Sequence, residues 1–214
     1  MGVQGIIVFF SNQDQMNRDQ SEMIVLASSS PRRLAILRVH GIEPVVVLPQ
    51  VDESLPVITS TTELEQVLCG LALAKAQEVY ARIQQGLLAD KEVSFIIAAD
   101  TVVYKDRVLG KPADFTEAVA MLEFLRDSAH QVFTAVALID SKTGSAQTLC
   151  DVSTVVFGSY TRAEIEEYVR KEQPFDKAGS YALQGEWIKH VVGVEGDREN
   201  VIGLPWHRIA GLLK

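Results

Sequence analysis

The stretch VLASSSPRRLAIL, residues 25–37, joins a short apolar run to a segment with apolar residues at helical spacing. The run that it completes, MIVLA at residues 23–27, is rich in strand-forming residues. Ser30 is a good helix N-cap and Pro31 suits the first helical position. The stretch therefore predicts a strand that turns directly into a helix, which is the repeating unit of α/β folds.

The same alternation of strand and helix patterns continues along the chain. VSFIIAADTVV, residues 93–103, is a continuous apolar run interrupted by Asp100, and it predicts a buried central strand with Asp100 at its carboxyl end. Capping motifs predict helices beginning after Thr62, Asp114 and Thr161. Two further strand patterns flank the turn SKTG. We expect a single α/β domain with a mixed twisted sheet and flanking helices.

Composition and charge exclude several classes of protein. The chain has 214 residues, 47% of them hydrophobic, and a net charge of -8, which disfavours a nucleic-acid partner. The run GIIVFF near the N-terminus is too short to span a membrane. Cys69 and Cys150 show no metal-ligand spacing and suit a reducing compartment. We expect a cytoplasmic protein without a membrane partner, with residues 1–22 as an extension and residues 23–214 as the domain.

The serines and arginines of the opening stretch suggest an anion site. A helix N-terminus presents free N–H groups and the positive end of the helix dipole. Ser28 and Ser30 add hydroxyl donors, and Arg32 and Arg33 add forked cations that fit phosphate oxygens. On this stretch alone, a capped helix with solvated arginines is an equally good interpretation. The pattern lacks the glycines of a P-loop.

Carboxylates supply a second signal. Asp100 lies where open α/β sheets bind ligands, and a buried carboxylate needs a metal, a cation or hydrogen bonds. The alternative is a structural Asp that caps the turn with Thr101. Asp52 and Glu53, in an acidic loop, could share a hard cation such as Mg²⁺ with Asp100, although an acidic loop is more often simply solvated.

Three other positions are weak signals when taken separately. Lys75 lies at the border of an apolar helix face, where a lysine can extend to solvent. Lys111 lies in LGKP, and Gln184, which follows a predicted short strand, could read a base edge. For Asp176 and Lys177 we prefer a local salt bridge.

Taken together, six motifs resemble the Maf family of nucleotide pyrophosphatases. They are, in chain order, LASSSPRR, AADTVV, GKP, HQVFTAVAL, EQPFDKAGSYALQG and VEGDRENVIGLP. The resemblance runs from Ile24 to the C-terminus. It implies hydrolysis of a nucleoside triphosphate to the monophosphate and pyrophosphate with Mg²⁺ or Mn²⁺. It also implies a Maf/inosine-triphosphatase-like fold, with two lobes around a cleft, and often a homodimer.

The resemblance also implies roles for individual residues. Asp100 matches the general base, and Glu53 with Asp100 matches the metal-binding carboxylates. Arg32, Thr101 and Gln184 match positions tied to substrate choice in the branch that prefers dTTP and UTP. The implied substrate-binding set is Ser28, Ser30, Arg32, Arg33, Glu53, Lys75, Thr101, Lys111 and Gln184.

Removal of unwanted pyrimidine nucleotides, including modified ones, is the role that this branch implies. The alternatives are a pyrophosphatase for purine nucleotides or 7-methyl-GTP, and a non-catalytic nucleotide-binding regulator of cell division.

Overall fold

The computed structural model describes residues 23–213, and the expected extension at residues 1–22 lies outside them. The strands are Met23–Ala27 (β1), Val45–Val46 (β2), Val93–Lys105 (β3), Arg107–Leu109 (β4), Ala129–Asp140 (β5), Ala146–Phe157 (β6) and Val191–Glu195 (β7). The α-helices are Pro31–Val39 (α1), Thr61–Gln84 (α2), Phe115–Leu125 (α3), Arg162–Glu172 (α4), Arg198–Ile202 (α5) and Trp206–Ile209 (α6). Short 3₁₀ helices occupy Ala178–Ser180, Glu186–His190 and Ala210–Leu212. Across residues 23–213, every helix is too short or too polar to cross a membrane.

The strands form one mixed sheet in the order β2-β1-β3-β5-β6-β7, with β4 paired to β3. β2, β1 and β3 are parallel, and helical crossovers connect them in the chain. β3, β5, β6 and β7 are antiparallel, and the predicted turn joins β5 to β6. The expected α/β fold with a mixed sheet is confirmed.

Along one edge of β3, two different strands each pair with part of its length, and the residues between the two paired parts form a gap without a strand partner. β5 covers the other edge along Phe95–Tyr104. On the shared edge, β1 pairs up to Ala98 and β4 pairs from Val103 onward, so Asp100 and its neighbours have no strand partner there. The prediction that Asp100 ends its strand is wrong. β3 continues to Lys105 because its apolar second half still pairs with β5, and it is β1 that ends.

Helices cover both faces of the sheet and divide the core. α2 packs on one face, in a cluster that includes Leu64, Leu68 and Ile96, and α1 packs on the opposite face with Ile97. A further cluster joins α3 and α4 to the far halves of β3, β5 and β6. The two expected lobes are present, and β3, β5 and β6 run through both of them. Because side chains alternate along a strand, the side chain of Asp100 lies on the α2 face.

Local capping signals fix most helix starts. The caps predicted at Asp114 and Thr161 are confirmed, each accepting a hydrogen bond from the backbone N–H three residues later. The cap of α2 is Ser60 instead of Thr62, since Ser60 Oγ accepts from Glu63 N at 3.1 Å. The same Ser/Thr-x-x-Glu spacing occurs twice in this segment, and the earlier copy is the one used.

Candidate active site

A cleft of about 960 Å³, including the part open to solvent, lies between the lobes and over the gap in β3. The predicted site residues all line it: Ser28, Ser30, Arg32, Arg33, Glu53, Lys75, Asp100, Thr101, Lys111 and Gln184. Some come from the β1–α1 turn and the first turn of α1, and others from α2 and β3 themselves. The remainder come from the loop that follows β2, the segment that follows β4 and the loops that follow α4. The fold therefore gathers residues that are far apart in the chain.

The guanidinium of Arg33 is held by the protein itself. Its Nε donates to the Gly203 carbonyl at 2.8 Å, Nη1 to Ser28 Oγ at 2.9 Å and Nη2 to Thr101 Oγ1 at 3.0 Å. Burial lowers its pKa, although an arginine stays charged in proteins. Gly203 has a φ of +125°, which L side chains rarely adopt, and a side chain there would place its Cβ only 3.3 Å from Thr101 Oγ1. This position therefore favours glycine. Three of the five N–H donors of Arg33 thus fasten α1 to β3 and to the end of α5.

Arg32 ties α1 to the opposite wall of the cleft. Its Nη1 donates to Asp176 Oδ2 at 2.7 Å, and its Nη2 donates to the Asp176 carbonyl at 3.2 Å. The predicted Asp176–Lys177 pair is also present, at 2.6 Å. Partial burial raises the pKa of Asp176, but the hydrogen bonds and charges of Lys177 and Arg32 outweigh it, so the pKa lies below its ordinary value.

The serines shape the turn more than they cap the helix. Ser28 is buried, and its Oγ accepts from Ser30 N at 3.2 Å. Ser30 occupies the N-cap position of α1 but makes no side-chain cap bond, contrary to the sequence prediction. The N–H groups of Arg32 and Arg33 lie in the first helical turn, where helix geometry leaves them without an intrahelical acceptor. Such free N–H groups at a helix N-terminus are donors of the kind that bind anions.

A buried lysine joins two of the three carboxylates that line the cleft. Lys75 is buried and places Nζ 2.6 Å from Asp100 Oδ1 and 2.9 Å from Glu53 Oε1. Lys111 Nζ lies 3.2 Å from Glu53 Oε2. Burial raises the pKa of Glu53, but Lys75 and Lys111 together hold it below its usual value. The interpretation of Lys75 as a solvent-extending lysine is wrong, because its ammonium points into the cleft.

Glu53 and Asp100 provide the hard oxygen donors that a divalent cation prefers. Two carboxylates, with water and substrate phosphates completing the shell, are a common arrangement for Mg²⁺. Asp52 is not a third member, because it accepts from Ser54 N at 2.9 Å and from Ser54 Oγ at 2.8 Å and does not line the cleft. The acidic loop therefore contributes one residue to the site.

The second lobe gives the cleft an apolar wall. It consists of Val103, Val132, Tyr181, Leu183, Val201 and Ile202. Gln184 is exposed beside this wall, in a loop that follows a 3₁₀ helix instead of the predicted strand. The cleft thus combines a charged part with an apolar part, as a ligand with a charged end and an aromatic end requires.

Residues 23–214 match the family model described as "Maf-like protein". The chain belongs to this family. Among curated relatives of this Maf-like chain, the dTTP/UTP pyrophosphatase of Acetivibrio thermocellus is 40% identical over 191 residues, covering 89% of this chain and 94% of the relative. The dTTP/UTP pyrophosphatase of Symbiobacterium thermophilum is 41% identical over 194 residues, covering 90% and 93%.

A solved structure also resembles this Maf-like chain. It is the nucleoside-triphosphatase / dITP/XTP pyrophosphatase of Mycobacterium abscessus, with 16% sequence identity and a TM-score of 0.41. The match covers 89% of this chain and 94% of that chain.

The site of this Maf-like chain contains partners that sequence reasoning missed. Asp176 was assigned only to a local salt bridge, and its bond to Arg32 spans 144 positions. Gly203 lies in the motif VEGDRENVIGLP, but its carbonyl contact with Arg33 spans 170 positions. Spacing along the chain carries no signal for either contact, and only the motif order indicated that these segments matter.

A second group of possible metal ligands lies outside the cleft. Asp151, Asp197 and His207 place ligand atoms within 4.8 Å of one another. His207 Nδ1 and Asp197 Oδ2 are 2.8 Å apart, and Arg208 Nη1 lies 3.3 Å from Asp151 Oδ1. These contacts already partner each member of the group.

Proposed function

We propose that this chain is a nucleoside triphosphate pyrophosphatase that converts dTTP and UTP to their monophosphates and pyrophosphate. The observation that supports this most strongly is the gap in β3. There a carboxylate, Asp100, lies in one cleft with the N-terminus of α1 and several cationic side chains. The names of the curated relatives point to the same reaction and the same two substrates.

The charge distribution of the cleft suits a triphosphate in a protein of negative net charge. Three carboxylates face five cationic side chains, which are Arg32, Arg33, Lys75, Lys111 and Lys177. In this proposal Arg32, Lys111 and the first N–H groups of α1 bind the phosphates. The base lies against the apolar wall, within reach of Thr101 and Gln184.

Hydrolysis then requires a base, a nucleophile and a stabilised leaving group. Asp100 takes a proton from a water that attacks the α-phosphorus. The bond from that phosphorus to the oxygen that bridges to the β-phosphorus breaks, and pyrophosphate leaves with its charge opposed by Arg32 and Lys111. Lys75 donates to Asp100 Oδ1 and so orients the carboxylate.

Glu53 and Asp100 are the residues that would hold Mg²⁺ or Mn²⁺. Such an ion, when bound, would neutralise phosphate charge and increase the acidity of a coordinated water.

The proposal includes a cytoplasmic location, compatible with the free thiols of Cys69 and Cys150. It also includes a homodimeric assembly and a role in removing unwanted pyrimidine nucleotides.

The test is pyrophosphate release from a panel of pyrimidine and purine triphosphates, with Mg²⁺, Mn²⁺ or EDTA. We expect turnover of dTTP and UTP, its loss in EDTA, and a fall of at least about 100-fold in Asp100→Asn. Asp106→Asn is the matched control, because Asp106 is exposed in the β3–β4 turn with a φ of 58° that asparagine tolerates.

Each alternative gives a different result in this assay. Preference for a purine would reject the pyrimidine assignment, and binding without turnover of any nucleotide would favour a regulator. Equal activity in Asp100→Asn and Asp106→Asn would remove Asp100 from the mechanism.

A further inference from the structure

A chain of hydrogen bonds runs from Arg33 across one face of the sheet to α5. Thr101 and Thr134 are direct cross-strand partners on β3 and β5, and their Oγ1 atoms are 3.0 Å apart. Thr134 Oγ1 lies 2.8 Å from the Asn200 carbonyl oxygen, and Arg33 Nη2 lies 3.0 Å from Thr101 Oγ1. Thr134 is 0% exposed, so water cannot replace any of its partners.

The chemistry of the two ends fixes the direction of every bond in between. A carbonyl oxygen only accepts, so the single hydroxyl proton of Thr134 goes to Asn200. Thr134 must then accept from Thr101, whose own single proton is directed inward. A guanidinium only donates, so Arg33 occupies one lone pair of Thr101 Oγ1. Thr101 lines the cleft, and after these bonds its hydroxyl has one free lone pair and no proton left for a ligand.

We propose that Thr134 and the Asn200 carbonyl make Thr101 an obligate hydrogen-bond acceptor toward the bound nucleotide. Thr134 is then a positioning residue that sets substrate choice without touching the substrate. The nucleotide must present a donor at Thr101, and a group that can only accept there meets a lone pair and is rejected. Sites built around a fixed hydrogen-bond polarity discriminate strongly, because the mismatched pair leaves polar groups unsatisfied.

The inference rests on the proposed function, since it concerns the nucleotide in that cleft. Two donors are common to dTTP and UTP, namely the N3–H of the base and the 3′-hydroxyl of the sugar. CTP replaces the first donor with an acceptor, because N3 of cytosine carries no hydrogen. A 3′-O-methyl group replaces the second donor with an ether oxygen that only accepts. Comparing these two nucleotides with UTP identifies which donor meets Thr101.

The experiment measures the affinities of non-hydrolysable α,β-imido analogues of UTP, CTP and 3′-O-methyl-UTP by calorimetry. Wild type is compared with Thr134→Val, which removes the inner acceptor at nearly constant volume, and with Thr134→Ser, which retains it. We expect wild type to bind the UTP analogue at least about tenfold more tightly than one of the other two analogues. In Thr134→Val the Thr101 proton can turn outward, so that preference falls below about threefold, while Thr134→Ser keeps it.

A purely structural role for Thr134 would weaken binding of all three analogues equally, and that result would overturn the inference. The inference would also be overturned if wild type bound all three analogues equally well, or if Thr134→Ser behaved like Thr134→Val. If Thr134→Val does not fold, Thr101→Val must lose the preference for UTP and Thr101→Ser must keep it.

Pyrophosphate release by wild type separates this inference from the proposed function. Turnover of UTP with an unchanged preference in Thr134→Val refutes the inference alone. A shifted preference without turnover refutes the function alone. Binding of none of the analogues refutes both.

Discussion

Replacing Lys75 with methionine tests how the charges of the cleft are balanced. Lys75 Nζ lies 2.6 Å from Asp100 and 2.9 Å from Glu53, and the exposed fractions of the three side chains are 4%, 14% and 43%. Methionine fills a similar volume but leaves both carboxylates without their shared cation. Removing one partner of a buried ion pair costs about 3–5 kcal/mol. Since Glu53 can regain water, we expect a loss of about 3 kcal/mol in the free energy of unfolding at pH 7.

The loss in Lys75→Met should shrink in acid. The pKa of Glu53 is lower in the folded state than in the unfolded state, so its stabilisation is present above the unfolded value and disappears as the pH falls through the folded value. In Lys75→Met the larger cause of this lowered pKa is gone, and only Lys111 still lowers it. Between pH 7 and pH 4 wild type should therefore lose more stability than the variant, so the difference between the two should narrow as the pH falls below 4.5.

Urea denaturation at both pH values measures these differences, with Lys142→Met as the matched control. Lys142 pairs with Glu92 at 3.3 Å, and both side chains are well exposed. An exposed pair contributes less than about 1 kcal/mol. A loss in Lys75→Met no larger than in Lys142→Met, or one that is the same at pH 4, would refute the assignment of Lys75 as the buried counter-ion of the site.

Two further variants test the contacts around the cleft. Asp176→Asn removes the charge that competes with phosphate for Arg32, so we expect the KM for UTP to fall about threefold in steady-state kinetics. A higher KM would instead mean that Asp176 positions Arg32 for the substrate. His130 is hydrogen-bonded to Tyr181 at 2.7 Å, and burial lowers its pKa from 6.5 to about 3. Below pH 6.5 the unfolded state therefore binds a proton that the folded state does not, and the free energy of unfolding falls. His130→Gln should lose this part of the slope, up to about 1.4 kcal/mol per pH unit, in urea titrations from pH 7 to pH 4; an unchanged slope would contradict the burial effect.

Local signals in the sequence were sufficient for most of the fold. The capping motifs at Asp114 and Thr161 depend on residues three positions apart, so they can be read without knowledge of the packing. The β5–β6 hairpin follows from two strand patterns around one turn. The position of Asp100 could not be read in this way, because its exposure in the cleft depends on where a different strand, β1, stops pairing.

The candidate site was predictable as a set of residues but not as an arrangement. The family resemblance implied that Arg33 and Lys75 belong to the site, and both line the cleft. Their partners could not be predicted, since Arg33 bonds to Gly203 near the C-terminus and Lys75 to two carboxylates from different elements. A cation pattern in the sequence does not distinguish an arginine free to bind phosphate from one whose donors are already used.

The contact between Arg33 and Gly203 also has a consequence for biosynthesis. The strands β5 and β6 are joined by a short turn, so their pairing closes a small loop and can form early. The β1–α1 turn leaves the ribosome well before the carbonyl that anchors Arg33, which lies 170 positions later in the chain. A nascent chain can therefore assemble the centre of its sheet before its cleft is complete, because Arg33 is fastened only after Gly203 has emerged.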